Sequence, residues 1–319
     1  MAESLQNLKR RIGGVKNVNQ ITRAMELVAA TKMRKSQELA LNSRPYAYAA
    51  LELLANLSSA DGVSLPPLFE KRAVKKTALV LVTSDKGLAG AFNANVIKNF
   101  EKFLMSDMDN ATSDMETAYI AVGQKAANYL ERHIQLKAQS SKLKARFTRV
   151  GDFTTVEQVK PLAELLVDGF LKGEWDRVIV FSMNFRSALS QEVVRRELFP
   201  IDVARLRETA DELIPKTGRY SEYRRSQELG ARSQVDYIIE PSPEAILENL
   251  ARHLILMQIY HLVLEANASE HAARRTAMKS ASDNASELAG ELSLQYNKSR
   301  QANITREIIE ITAGAEALN

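Results

Sequence analysis

Residues 243–318 read PEAILENLARHLILMQIYHLVLEANASEHAARRTAMKSASDNASELAGELSLQYNKSRQANITREIIEITAGAEAL. This stretch decides the fold. It has no proline after Pro243 and only two glycines, Gly290 and Gly314. Strong helix formers (Ala, Glu, Leu, Arg, Lys and Gln) fill most of it. Ser242-Pro243-Glu244 supplies a start signal, a serine N-cap followed by proline at the first helical position. Apolar residues recur at threes and fours: Ile246, Leu250, Leu254 and Met257, then Leu288, Leu292 and Tyr296, then Ile304, Ile308, Ile311 and Ala315. At a rise of 1.5 Å per residue this spacing predicts one helix of about 110 Å. One small domain cannot cover such a helix. Another part of the chain, or a partner, must lie along it.

The other end of the chain offers a match. Residues 4–57 carry Leu5, Leu8, Ile12, Val15, Val18, Ile21, Met25 and Val28 close to a heptad rhythm, which predicts a second long helix and an apolar seam. Lys9, Arg10, Lys16, Arg23, Lys32, Arg34 and Lys35 fall mostly off that seam. Gly13-Gly14 either weakens the helix or lets another backbone approach. Pro45 predicts a kink or a break, and a helix running through it would span about 80 Å. Two long amphipathic segments at opposite ends of one chain suggest an antiparallel pair, with a domain inserted between them.

Composition sets the outer bounds. The 319 residues hold 45% apolar and 26% charged side chains, ordinary for a chain that buries a core. The absence of cysteine excludes disulfides, thiolate nucleophiles and thiolate–zinc sites. Residues 1–44 hold nine Lys/Arg against three Asp/Glu, a net of +6 in a chain whose total is +4. This is either a solvated basic face or a docking surface for an acidic partner. The N-terminus lacks the apolar core of a signal peptide. The run Leu254–Leu264 is too short to span a bilayer and is broken by Gln258 and His261.

The centre alternates strand and helix. After a linker at 58–72, Thr77–Thr83 is a continuous apolar run of the buried parallel kind. Helices are expected at Asn93–Met105, Lys125–His133 and Val156–Leu171, the last interrupted or offset by Pro161. Strands are expected at Ala118–Val122, Arg146–Val150 and Arg177–Met183, and antiparallel ones at Gln191–Phe199 and Val235–Glu240. The alternation predicts an α/β layered, Rossmann-like domain with a mainly parallel sheet, spanning 73–240 between coiled-coil helices at 1–57 and 243–319. Ala204–Ser233, polar and without period, reads as an exposed loop or short helix.

No catalytic constellation emerges. Ser84–Ala91 follows the first strand, where an α/β domain places a phosphate loop, but it fits neither Gly-x-Gly-x-x-Gly nor a Walker loop and reads first as a structural turn. His133, His253, His261 and His271 have no metal-ligand spacing. Asp85 and Asp152 follow strands, and spacing gives neither a second carboxylate. The basic N-terminal helix has no recognisable nucleic-acid module.

Two stretches carry a resemblance: Ile21-Thr-Arg-Ala-Met-Glu-Leu-Val-Ala-Ala-Thr-Lys-Met-Arg-Lys35, and Tyr296-Asn-Lys-Ser-Arg-Gln-Ala-Asn-Ile-Thr-Arg-Glu-Ile308 closed by Gly314-Ala315. Ala272-Ala273-Arg274, Ala277-Met278-Lys279 and Ser84-Asp85-Lys86-Gly87-Leu88 add to it. The chain resembles, along its whole length, the bacterial-type gamma subunit of rotary ATP synthases. It departs at Ala89-Gly90-Ala91, where the family turn usually continues Cys-Gly-Gly. Near 204–233, plant chloroplast relatives carry a redox insert that a cysteine-free chain cannot reproduce. The resemblance implies a central rotor shaft without catalysis or cofactor of its own, its terminal helices paired inside a hexamer of alpha and beta subunits. The α/β domain would stand at the foot against the epsilon subunit and the membrane c-ring, with no transmembrane segment and no nucleic acid, at the cytoplasmic face of a bacterial membrane. Matched to the family motifs, Met25 would lie near the beta-subunit lever, and Arg300, Gln301 and Thr305 would contact the loops that grip the shaft. Two other readings stand beside this one. One is an α/β nucleotide-binding enzyme using Gly87–Ala91, with a coiled-coil dimerisation arm. The other is a coiled-coil tether or nucleic-acid binder.

Overall fold

The computed structural model describes residues 4–58, 64–110, 116–136, 141–202, 240 and 242–316. Helix α1 runs unbroken over Leu5–Ser58, passing through Pro45. The centre holds β1 (Lys76–Val82), α2 (Phe92–Asn110), β2 (Glu116–Val122), α3 (Gln124–Leu136), β3 (Ser141–Phe147), α4 (Val156–Leu171), β4 (Arg177–Phe185) and β5 (Gln191–Phe199). Helix α5 then spans Pro243–Glu316, 74 residues and about 110 Å at the standard rise. The expected loop at 204–233 lies outside the described residues, as does the expected strand at 235–240 save its last residue.

The helix starts follow their residues. Ser4 Oγ accepts the Asn7 N–H at 3.3 Å, and Ser242 Oγ accepts the Ala245 N–H at 3.3 Å, so each serine satisfies a donor that the helix cannot. Pro161 does not interrupt α4. It removes one bond early in the helix, while Val159, Leu162, Leu166, Val167 and Phe170 hold the buried face.

The sheet order is β3-β2-β1-β4-β5, with β1 to β4 parallel and β5 antiparallel at one edge. Strands β1 and β4 are buried along nearly their whole length, which is why they read as unbroken apolar runs. The third strand corrects the sequence reading. It occupies Ser141–Phe147 and ends before Val150, because Leu143, Ala145 and Phe147 alternate with exposed Lys144 and Arg146 in an edge strand. One face of the sheet carries α2 and α3, and Phe100 of α2 packs edge-on against Phe181 at 5.2 Å. The other carries α4 and α5. Trp175 is fully buried there, its indole N–H donating to the Leu166 carbonyl at 3.0 Å. A Cβ at Gly169 would come within 1.9 Å of that ring, so only glycine fits.

Residues 259–272 of α5 are buried on every side. The helix is sandwiched there between α1 and the sheet, which buries polar side chains such as His261, Glu265 and Glu270 along with the apolar ones. Among the described residues, no helix is long and apolar enough to cross one.

Beyond the sheet, α1 and α5 form the expected antiparallel pair, but in another register. The inward positions of α1 are Leu8, Ile12, Val15, Asn19, Thr22, Glu26, Ala29, Met33, Ser36 and Ala40, spaced strictly by fours and threes. Those of α5 are Met278, Ser282, Ala285, Ala289, Leu292, Tyr296 and Ser299. Val18, Ile21 and Val28, expected in the seam, are more than half exposed, and Leu288 is 41% exposed. The small residues of α5 choose the register. Asn19 Nδ2 donates to the Ser282 carbonyl at 2.6 Å, a contact that a bulky apolar residue would block. A second apolar stripe on α1 is thereby left facing outward. Open space surrounds Gly13 and Gly14, so they serve no close approach within this chain.

Candidate partner interfaces

The strand order reverses between β1 and β4, so the sheet's C-terminal edge opens the crevice where α/β domains bind ligands. Here α5 lies against it. A Cβ added at Gly90, whose φ is +54°, would lie 3.8 Å from the Ala273 carbonyl and the Ala277 Cβ, and Arg274 Nη2 donates to the Gly87 carbonyl at 3.1 Å. The turn itself is fixed from within. Asn93 accepts the Ser84 N–H at 3.0 Å and donates to its hydroxyl at 2.7 Å, and that hydroxyl donates to the Lys86 carbonyl at 2.6 Å. The Gly87–Ala91 turn is a structural joint with α5.

Asp85 and Asp152 serve the same joint. Asp85 accepts the backbone N–H groups of Gln124 and Arg149, each at 2.9 Å, which ties together the loops after β1, β2 and β3. Asp152 Oδ2 accepts from Lys32 of α1 at 2.5 Å, and its Oδ1 lies 3.2 Å from His271 Nε2 of α5. Arg274 Nη1 lies 3.3 Å from His271 Nδ1 and can only donate, so Nδ1 is the acceptor, while the buried Nε2 lies near Asp152 without an aligned hydrogen bond to it. Arg274 also pairs with Glu270 at 2.6 Å, both side chains nearly buried. These groups line a cavity of about 750 Å³ between α1, α5 and the sheet edge.

Their protonation follows from these surroundings. Burial, the Arg274 guanidinium and Lys32 hold His271 down at about 4, against the pull of Asp152. Burial pushes Asp152 up, but the Lys32 hydrogen bond and charge, with His271 and Lys86, bring it below its ordinary value. Burial keeps Glu270 above the usual carboxylate range in spite of Arg274. The sequence alone did not single out this cluster. The i, i+4 pair Glu270/Arg274 and the i, i+3 pair His271/Arg274, inside an alanine-rich run, were its only signal. No spacing rule could join them to Lys32 and Asp152.

The four residues matched to partner contacts fall in two places. Met25 is half-buried at the cavity's mouth. Arg300, Gln301 and Thr305 are exposed on α5, and the Thr305 hydroxyl donates back to the Gln301 carbonyl at 2.9 Å. Since Asn19 faces Ser282, Met25 faces the region of residue 276, and Arg300 lies about 36 Å further along the axis. From 301 to 315 every residue is exposed, because α1 begins at Leu5 and does not reach so far. Ile304, Ile308, Ile309 and Ile311 all stand in the open on this projecting end.

The chain matches the family model described as ATP synthase over residues 4–318. It is 38% identical over 317 residues to the ATP synthase gamma chain of Roseiflexus castenholzii, covering 99% of this chain and 98% of that one. It is 37% identical to the ATP synthase gamma chain, sodium ion specific, of Acetobacterium woodii, covering both chains in full. Among solved structures it is similar to a chain of the Euglena gracilis mitochondrial ATP synthase, OSCP/F1/c-ring, in rotational state 3, with a TM-score of 0.61 at 16% identity, over 98% of this chain and 94% of that one. Another similar chain comes from the rotor of the same organism's enzyme, with a TM-score of 0.57 at 18% identity, over 94% of this chain and 98% of that one. The nucleotide-binding enzyme is not favoured by these likenesses. The match over the full length places this chain in the gamma chain family of ATP synthases.

Proposed function

We propose that this chain is the central shaft of a rotary ATP synthase and catalyses nothing itself. The observation that carries the reading is the projecting end of α5. A helix end with isoleucines at 304, 308, 309 and 311, each about half or more exposed, needs a sleeve that the described residues do not supply. A hexamer of alpha and beta subunits provides one, with ATP turned over on those subunits. The paired helices, off-axis and unlike from side to side, push each catalytic site through its states in turn. Met25 then meets the beta-subunit lever, while Arg300, Gln301 and Thr305 form a polar grip near the shaft's end. Arg300 offers a forked contact to a carboxylate, and Gln301 can donate and accept. The α/β domain stands at the foot against the epsilon subunit and the c-ring, at the cytoplasmic face of a bacterial membrane. Co-expression with alpha and beta subunits of the same organism tests this: a tag on beta should bring the chain down in a stable complex. Recovery of the chain free of both, with nucleic acid in their place, would refute it.

A further inference from the structure

We propose that Asp152 is a torsional latch, its carboxylate tying α1 to a loop of the α/β domain that α5 also holds, so that foot and shaft turn as a unit. The inference rests on the shaft reading above. Torque crossing from the domain to the helix pair must pass as shear over the face where α5 packs on the sheet. Apolar packing there is strong but non-directional, and it resists sliding less than it resists separation. Directional contacts at the rim of that face supply the missing resistance.

The loop between β3 and α4, residues 148–155, is where such contacts concentrate. Helix α5 holds it from three successive levels. Tyr260 OH donates to the Thr154 carbonyl at 3.3 Å, Asn267 Nδ2 donates to the Val150 carbonyl at 3.1 Å and the Thr154 hydroxyl at 2.8 Å, and His271 faces Asp152. Helix α1, on the far side of α5 from the sheet, reaches the same loop through Lys32. Arg149 and Phe153, on either side of Asp152, adopt left-handed φ of 65° and 52°, a conformation kept in non-glycine residues only where the surroundings impose it. The loop is thus held in one shape, with Asp152 presented to both helices. Close by, Arg274 joins His271 to the Gly87 carbonyl, and Asp85 accepts from Arg149 of the same loop. The result is a cluster of polar contacts around the junction of shaft and domain.

The test uses the assembled complex of this chain with its alpha and beta subunits, hexamer immobilised. The chain has no cysteine, so Leu189→Cys, at a β4–β5 turn residue that is 90% exposed, gives a single attachment point for a bead on the α/β domain. With rotation stalled, the bead's angular variance reports the compliance of the path between domain and hexamer. Asp152→Ala should about double that variance at unchanged assembly, and Lys32→Met should raise it in the same direction. The exchange Lys32→Asp with Asp152→Lys should bring it back towards wild type, which simple loosening of the fold would not do. If Asp152→Ala fails to assemble, Lys32→Met reads the same ion pair from the shaft side. Wild-type variance in the assembled single variants, or an exchange no stiffer than they are, overturns the latch. A wild-type complex that turns over ATP without moving the bead overturns the shaft reading, and the latch with it.

Discussion

Replacing Arg274 by Met removes the guanidinium and keeps most of the volume. Arg274 is 9% exposed and holds three partners: Glu270 at 2.6 Å, the Gly87 carbonyl at 3.1 Å and His271 Nδ1 at 3.3 Å. Glu270 is 6% exposed and already lifted above its ordinary range by burial. Losing its cation leaves a carboxylate to be buried bare or protonated, and breaking a buried pair from one side costs about 3–5 kcal/mol. At about 1.5 °C per kcal/mol for a chain of 319 residues, the midpoint of thermal unfolding should fall by about 4–7 °C. The sign with pH is fixed as well. A carboxyl whose folded pKa lies above its unfolded one destabilises the fold when ionised, so the deficit should shrink from pH 8 to pH 5. Arg274→Met with Glu270→Gln removes both charges and should cost less than the sum of the two single changes, because neither charge is left stranded. Circular dichroism melts of the four proteins read all of this. A single-variant deficit below about 1 kcal/mol, or additive costs in the double, would show that the pair is not the buried tie described here.

Other outcomes follow from the same structure. Ala29→Asp puts a charge into the seam at a residue 1% exposed and should cost several kcal/mol, whereas Ile21→Asp, at 58% exposed, should stay within about 0.5 kcal/mol; equal melts would refute the register. His271 titrates unfolded at its ordinary 6.5 and folded at about 4, so the unfolded chain binds the extra proton between those values. Stability should therefore fall by about 3 kcal/mol as pH drops through that window, and His271→Gln should flatten the slope. Arg300→Ala with Gln301→Ala should lower ATP turnover and stability of the complex and leave the isolated chain's melt unchanged, since both side chains are exposed in it. Wild-type turnover and assembly would end that proposal. Deleting residues 204–233 should leave a complex of alpha, beta and this chain intact, as gel filtration would show.

The long helices, the alternating centre and the antiparallel fifth strand were legible because each rests on local signals. These are the Ser242 cap, the buried runs at Thr77–Thr83 and Arg177–Met183, and the absence of breakers after Pro243. The seam was legible only in outline. Apolar residues on α1 form two stripes, and only the partner's small side chains at Ser282, Ala285 and Ala289 decide which stripe turns inward. The third strand was displaced because an edge strand has half the apolar content of a central one. The polar cluster was not legible, since Lys32, Asp152 and His271 are more than a hundred residues apart and meet only after the sheet has formed. Met25, Arg300, Gln301 and Thr305 came from family motifs alone; the last three are exposed in this chain and Met25 is half-buried.

The most direct measurement fixes the alpha–beta hexamer to a surface, attaches a bead to the α/β domain through Leu189→Cys, and supplies ATP. The account predicts sustained one-way rotation that stops when ATP is exhausted. A bead that stays still while the same complexes hydrolyse ATP would contradict it.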